Sequence, residues 1–479
     1  MSLIEPVELV PADQAGALHF MAIGGAGMSG LAFAYQKLGA KVSGCDQVQS
    51  KNLRKLAASG IPATVGHDVA HLDGVDTVVV SSAIRESNVE LIEARSRGKR
   101  VWHRSAALAA LMLGKTAIAV AGTHGKTTTS AMIAEILTEV GAEPSYVIGS
   151  PLAATGASAD LGKGDAFVVE ADESDGSFLQ YPTNIAVITN VEADHLDNWA
   201  TPQHYHEGFY RFATADSVQH VVACADDPGA AELVERLKEE GRQVITYGEA
   251  AGADVRLSDF SFAGMSAKTT LLTSKGSIDL SLQVPGKHNL LNAAAAFVVA
   301  DLLGIKPQAV VEAAAKFAGT LRRFQGVGAV ELADGAVYIY DDYAHHPTEL
   351  RAALSAARKV NKGGRLIACF QPHLFSRTKD FAAEFGQALA LADIAVITDI
   401  YASREDPIPG VTGQMIVDAA ANAGADVRYV PDKAQLPARL AEICAGGDLV
   451  LTLGAGDVTI VGPLLVDQLV ASGASVISR

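Results

Sequence analysis

The sequence predicts a three-domain α/β protein, and three observations carry the prediction. Its 479 residues exceed what one hydrophobic core organises, at ~100–200 residues per domain. Hydrophobic residues make up 49% of the chain and charged residues 19%, enough apolar material for several large cores. Apolar strands alternate with amphipathic helices, and glycines gather where strands end, which is the pattern of βα units.

The elements fall into three blocks, each with its own strands and glycine loops. The first opens at His19 with HFMAIGGAGMSG, and its domain is drawn at residues 1–107. The second opens at Thr116 with TAIAVAGTHGKTTT, in a domain of residues 108–321. The third, residues 322–479, holds the strands VYIYDDY, RLIACF, DIAVITDIY and DLVLTLGAG. In every block polar clusters follow apolar strands, at residues 24–30, 122–128, 170–175, 190–197, 341–346 and 371–377. Open α/β sheets bind ligands beyond the carboxyl ends of their strands, so these clusters are expected on functional edges.

Composition narrows the partners. A formal net charge of −16 repels a phosphate backbone and argues against a nucleic-acid surface. A small anionic substrate stays open, provided local cations or a metal reverse the sign inside a site. Cys45, Cys224, Cys369 and Cys444 form no CxxC pair, which fits a reducing cytoplasm and gives no sign of zinc. The start, MSLIEPVELVPAD, is acidic and unlike a secretory leader, and no apolar run approaches the ~20 residues of a membrane span. A cytoplasmic protein is expected, away from membranes.

Residues 116–121 read as a buried strand, followed by Gly122-Thr123-His124-Gly125-Lys126-Thr127-Thr128. A helix then carries Met132, Ile133, Ile136, Leu137 and Val140 and stops at Gly141. This is the context of a phosphate loop: glycines let backbone N–H groups turn toward phosphate oxygens, and the helix start adds partial positive charge. Lys126 is placed to reach the β/γ-phosphates of ATP and Thr127 to ligate Mg²⁺. Val120 stands where GxxxxGK[ST] asks for its first glycine, so the motif is a variant. A capped glycine turn would explain the glycines, but gives no reason for a lysine beside two threonines.

Gly25-Ala26-Gly27-Met28-Ser29-Gly30 satisfies GxGxxG between a strand and a helix, and Asp46 follows the next strand as a ribose partner would. Alone, this motif suits a dinucleotide oxidoreductase, or glycines kept for packing. With a second phosphate loop in the same chain, ATP and a nucleotide-bearing substrate are the expected pair.

Two acidic clusters follow the strands AFVVE and NIAVITN: Glu170-Ala171-Asp172-Glu173-Ser174-Asp175 and Glu192-Ala193-Asp194-His195-Leu196-Asp197. Clustered carboxylates repel unless a cation sits among them, and oxygen ligands with one imidazole suit Mg²⁺ or Mn²⁺. A solvated acidic loop is the alternative.

The segments GTHGKTTT, EADESDGS, TNVEADHLD, PGKHNLLNAAAA, RRFQ, DDYAHHPTE and FQPHLFSRT resemble the Mur ligase family, in order and along essentially the whole chain. The resemblance implies a Rossmann-like N-terminal domain for a UDP-linked substrate, a P-loop ATPase-like centre and a Rossmann-like C-terminal domain for the amino acid. Its alanine-adding branch implies ATP-dependent ligation of L-alanine to the lactyl carboxylate of UDP-N-acetylmuramate. That reaction runs through an acyl phosphate, in peptidoglycan precursor synthesis.

Matched by motif, Gly122, Thr123, Gly125, Lys126, Thr127 and Thr128 would hold ATP phosphates, and His288, Asn289 and Asn292 would face adenine. Arg323 would contact phosphate and Asp341 ribose; Thr127, Glu170 and His195 would serve the metal. Tyr343, His345 and Arg377 would line the amino-acid and γ-phosphate end. Gly25, Gly27, Ser29 and Asp46, with Ser81 and Ser82, would hold the UDP part. Lys126, Glu170, His195, His345 and Arg377 form the expected catalytic set, with His345 as preferred base.

Several members carry a carbamylated lysine after the metal histidine, but Trp199 through Arg236 contains no lysine, an absence that alanine-adding members share. His67, His71, His103, His204 and His206 read as surface or packing histidines, with a place near the uridine open to His71. Three rivals are weighed. An NAD-linked oxidoreductase leaves GTHGKTTT unexplained, and a regulator that only binds ATP leaves the acids and histidines unexplained. The nearest is a family member that attaches a preformed peptide.

Overall fold

Each block builds its own sheet. The structure, a computed structural model, describes residues 3–403 and 405–477, with the side chains of Ala26 and Asp197 left aside. The first sheet holds β1 (Leu18–Met21), β2 (Val42–Asp46), β3 (Ala63–Val65), β4 (Thr77–Val80) and β5 (Arg100–His103). All its strands are parallel, in the order β3-β2-β1-β4-β5. Every residue of β1 is buried, as expected of a parallel strand covered on both faces. The strand order reverses at β1, so a crevice opens between the carboxyl ends of β1 and β4. The glycine loop follows β1 and Ser81 and Ser82 follow β4, on the two sides of that crevice.

The second sheet holds β6 (Thr116–Ala121), β7 (Ser145–Val147), β8 (Ala159–Asp160), β9 (Ala166–Glu170), β10 (Ile185–Ile188), β11 (His220–Cys224) and β12 (Val244–Gly248). It continues into β13 (Val255–Ala263), β14 (Ser266–Thr273) and β15 (Gly276–Leu282). In its ten-stranded order β6 lies between β9 and β10, so three loops meet at one edge: the glycine-lysine loop, residues 170–175 and residues 190–195. The antiparallel β13–β15 end of the sheet alternates between inward and exposed residues, because one face meets water.

The helix Lys126–Glu139 is buried through most of its length, packed with the helix Lys287–Leu302 in one apolar cluster. The alanine run at residues 293–296 brings the two helices close. The first helix ends where the sequence predicts: Gly141 takes φ +77°, and the N–H groups of Gly141 and Ala142 donate to the carbonyls of Thr138 and Leu137.

The third sheet holds β16 (Gln325–Leu332), β17 (Gly335–Asp342), β18 (Leu366–Phe370), β19 (Ile394–Ile397), β20 (Val427–Tyr429), β21 (Leu449–Leu453) and β22 (Ser475–Val476). Its order is β20-β19-β18-β21-β17-β16-β22, parallel from β20 to β17 and antiparallel beyond.

The first two sheets are joined by the helix Arg104–Met112, buried from Ser105 onward and part of one core that reaches both. Tyr35 Oη donates to the Ala107 carbonyl at 2.8 Å and fixes the helix against the first sheet. The segment before β1 lies along the second block instead. Ile4 N–H donates to the Asp175 carbonyl, and Val7 exchanges two hydrogen bonds with the Gln180 side chain. No helix among the described residues is long and apolar enough to cross a membrane.

Candidate active site

The turn after β6 needs its glycines. Gly122 has φ +138°, and a Cβ there would lie 2.0 Å from Thr189 Oγ1; Gly125 has φ +82°, and a Cβ there would meet Asn292 Oδ1 at 2.8 Å. Lys126 opens the following helix and folds back over the loop, donating to the carbonyls of Gly122 and Thr123 and pairing with Glu173 at 2.8 Å. Burial opposes its charge, but Glu173 outweighs burial and raises the lysine pKa. Thr127 Oγ1 donates to Glu170 Oε1 at 3.0 Å, and Glu170 Oε2 accepts from Gly149 N–H. The Thr123 hydroxyl turns inward to the Glu192 carbonyl and Tyr205, and its N–H donates to the Asn190 carbonyl at 3.4 Å.

Two adjoining cavities share His124, Gly125, Arg323 and Glu349. The first, of about 310 Å³, is lined by Val284, Pro285, His288, Asn289, Leu291, Asn292 and Phe317, with Thr128 and Asp342 at its polar side. Burial, with Arg323 and Lys359, pushes the His288 pKa down to about 4, so its ring is neutral. The second, of about 490 Å³, is polar and gathers Lys126, Thr127, Glu170, Glu173, Asp194 and His195 from the second block. The third block adds Arg323, Tyr343, His345, His373 and Arg377.

Across this second cavity, Arg377 donates to both oxygens of Asp194, at 2.9 and 3.2 Å, while its Nε is buried without a partner. Burial opposes the Asp194 charge, but His195 and Arg377 hold its carboxyl well below the usual range. His345 lies 3.3 Å from Glu349; burial, Arg377 and His373 bring its pKa down to about 3, so the imidazole is neutral at physiological pH. His124 is the opposite case. Burial again opposes charge, but hydrogen bonds to Glu192 and Glu349 outweigh it and push the pKa up to about 9.

At the first sheet, a Cβ on Gly24 would sit 2.8 Å from both Asp46 Oδ2 and Ser50 Oγ, because Asp46 accepts the Gly24 N–H at 2.9 Å. Gly25 caps the helix that starts at Ala26, the side of Gly27 faces open space, and Ser29 is buried one turn in. Ser82 reaches His103 at 3.1 Å and Asp175 at 3.4 Å, and Arg104 pairs with Asp172 at 3.4 Å. The crevice of the first sheet therefore abuts the acidic loop beside Lys126.

Sequence comparison agrees with this three-part layout. The Mur ligase family catalytic domain matches residues 17–116, the Mur ligase middle domain 120–300, and the Mur ligase glutamate ligase domain 322–456. A UDP-N-acetylmuramate–L-alanine ligase from Cutibacterium acnes is 62% identical, over 98% of this chain and 99% of its own. The chain belongs to the Mur ligase family. A second ligase of that name, from Thermobifida fusca, is 49% identical over 98% of this chain and all of its own. The crystal structure of a UDP-N-acetylmuramate–alanine ligase from Thermotoga maritima, 29% identical, superposes with a TM-score of 0.78, covering 95% of this chain and 99% of that one.

Within this Mur ligase, an ATP-dependent enzyme, the aspartate expected at the ribose lies away from the first cavity. Asp341 does not reach the first cavity. It is buried, bonded to Arg322, Thr452 and Thr459, while its neighbour Asp342 lines the cavity wall. Successive residues of β17 point to opposite faces, and at its carboxyl end Asp341 and Asp342 are both buried, so the sequence carries no mark of which aspartate lines the cavity. Burial, only partly offset by Arg323, lifts the Asp342 pKa to about 6.

Other site groups escaped the sequence reading. Glu173 belongs to the acidic run after β9, and only the fold brings it to Lys126. His124 sits inside the quoted loop, but its charge depends on Glu192 and Glu349, 68 and 225 positions further along. Gly24, just ahead of the GxGxxG motif, is the glycine of that loop under the tightest steric constraint from Asp46.

Proposed function

We infer that this Mur ligase joins L-alanine to the lactyl carboxylate of UDP-N-acetylmuramate, converting ATP to ADP and phosphate. The substrates are those named for the relatives. The geometric observation behind the reading is one polar cleft that collects Lys126, Arg323 and Arg377 beside Glu170 and His195.

The first step brings two anions together. A carboxylate oxygen attacks the γ-phosphorus, the bond to the bridging oxygen breaks, and ADP leaves behind an acyl phosphate. Fixed cations oppose that repulsion, and they act most strongly where water is excluded. Lys126 and Arg323 approach the phosphates from opposite blocks, and the free Nε of Arg377 offers a further donor to an oxyanion. In the apolar cavity His288, Asn289 and Asn292 face the adenine, and Asp342 takes the ribose role first given to Asp341.

Hydroxyl and carboxylate oxygens suit Mg²⁺, and Thr127 and Glu170 present them side by side, with His195 across the same cleft. These three residues would hold the ion. When bound, it would neutralise charge on the phosphate oxygens.

In the second step the amine attacks the acyl carbon and phosphate departs. The incoming ammonium must first lose a proton. His345 is the acceptor we assign: its ring is neutral, and a phosphate anion beside it together with Glu349 raises its basicity. Gly25, Gly27, Ser29, Asp46, Ser81 and Ser82 hold the UDP part at the adjoining crevice.

The test is product identification by mass spectrometry. ATP, UDP-N-acetylmuramate and L-alanine should give a product heavier than the UDP-sugar by alanine less one water, with one ADP per product. Absence of that mass, with ATP still consumed, overturns the assignment.

A further inference from the structure

A second group of metal-ligating side chains lies in the first domain, apart from the cleft. Glu90 is fully buried near the start of the helix Val89–Ser96. Its Oε2 lies 3.0 Å from Cys45 Sγ, 2.9 Å from His67 Nδ1 and 3.9 Å from His19 Nε2; its Oε1 accepts from His71 Nδ1 at 2.6 Å and from Asp68 N–H at 2.9 Å. Its ion-pair partners among the described residues are histidines alone. A carboxylate so placed calls for a positive charge nearby.

We propose that His19, Cys45, His71 and Glu90 form a binding site for one divalent transition-metal ion, with zinc the best fit. One ligand atom from each lies within 4.8 Å of the others. A tetrahedral zinc ion with bonds of about 2.0–2.3 Å sets its ligand atoms roughly 3.3–3.8 Å apart, so small side-chain movements suffice.

The outer contacts point the same way. His19 Nδ1 is held by Ser43 Oγ at 2.9 Å, and its inner Nε2 is buried with no hydrogen-bond partner, aimed at Glu90. His71 Nε2 meets Thr64 Oγ1 at 3.3 Å, which leaves Nδ1 for the cluster. In each ring a hydroxyl fixes the far nitrogen and presents the near one, as outer partners do around zinc. Thiolate and carboxylate together balance a doubly charged ion; binding breaks the Cys45 S–H bond, forms S–metal and releases one proton to solvent. His71 is about a quarter exposed, which gives the ion a way in. The ligands come from two strands, a short helical turn and a longer helix, so no spacing rule could reveal them in the sequence. Cys45 precedes Asp46, which holds the Gly24 loop, so an ion here would stiffen that loop.

The test uses the full chain, freed of metal by a chelator and titrated with Co²⁺ alone, without nucleotide. One equivalent should give a near-ultraviolet thiolate band with tetrahedral visible bands, and Zn²⁺ should displace it. Cys45→Ser should remove the thiolate band. His71→Gln, at a partly exposed position, should weaken Co²⁺ and Zn²⁺ binding by about 10–100-fold with circular dichroism unchanged, in the range that even outer-contact losses reach. The phosphate-loop site lacks a thiol and cannot produce the band. Failure to see the band, or its survival in a folded Cys45→Ser chain, overturns the proposal. If Cys45→Ser does not fold, unchanged affinity in His71→Gln overturns it equally.

Discussion

Lys126 Nζ, at the end of the glycine-lysine loop, sits 2.8 Å from Glu173 Oε2 of the acidic segment after β9, with the carboxylate only 1% exposed. The fold therefore supplies the loop lysine with a counter-ion, which in the proposed reaction the ATP phosphates would replace or share. Lys126→Ala should cut turnover by at least ~10²-fold, the scale of losing one transition-state donor. It also strands a buried charge, costing about 3–5 kcal/mol of stability. Adding Glu173→Gln should restore most of that stability and none of the activity. Turnover close to wild type in the single variant would remove Lys126 from the phosphate site; denaturant melts of both variants check the rest.

Thr127→Val and Glu170→Gln test the metal assignment without disturbing the loop, since the amide oxygen introduced by the second change keeps an acceptor for the Gly149 N–H. Each should raise the Mg²⁺ concentration for half-maximal activity by ~10-fold or more, on the scale seen when metal-site contacts are lost. A Mg²⁺ titration that overlays the wild-type curve in both variants contradicts the assignment.

Asp341 and Asp342 should separate cleanly. Asp342→Asn should raise KM for ATP while leaving KM for the UDP-sugar unchanged. Asp341→Asn should leave both KM values near wild type and lower stability by about 1–3 kcal/mol, through its bonds to Thr452, Thr459 and Arg322. Steady-state kinetics and thermal melts on the pair decide; the reverse pattern would return the ribose role to Asp341.

What the sequence made legible was order along the chain. Polar clusters after apolar strands were visible because parallel strands leave long apolar runs, and glycines mark the turns that follow. Contacts between distant segments were not visible. The pairing of Arg377 with Asp194 spans 183 positions, and the high pKa of His124 depends on glutamates from two other segments. The first residues also mislead: they precede the first block in sequence, yet Ile4 and Val7 bond to the second. Among the histidines, Glu90 is decisive. His67 and His71, read as packing or surface residues, both turn toward it.

Glu135 offers a stability test remote from the chemistry. It lies buried in the helix Lys126–Glu139 with Oε2 unpartnered, and burial lifts its pKa from 4.5 to about 7. The folded protein thus favours the neutral acid. The stabilisation linked to that proton is complete below about pH 4.5 and is lost as pH rises through 7. Glu135→Gln should therefore resemble wild type at pH 4.5 and exceed it at pH 8 by on the order of 1–3 kcal/mol. Equal stability of variant and wild type across that range would contradict the burial argument.

The cleft is proposed to couple ATP cleavage to two acceptors, a UDP-linked sugar acid and a short amino acid. In that proposal Tyr343 and His345 would crowd the amino-acid end, favouring L-alanine and leaving discrimination against glycine and serine to size, about 10–200-fold for a small apolar difference. ADP release, measured in Mg²⁺ and ATP with each acceptor omitted in turn, tests this directly. Release is expected only when UDP-N-acetylmuramate and L-alanine are both present, with free alanine outcompeting a tripeptide that begins with alanine. Preference for the tripeptide, or release that needs only one acceptor, would contradict it.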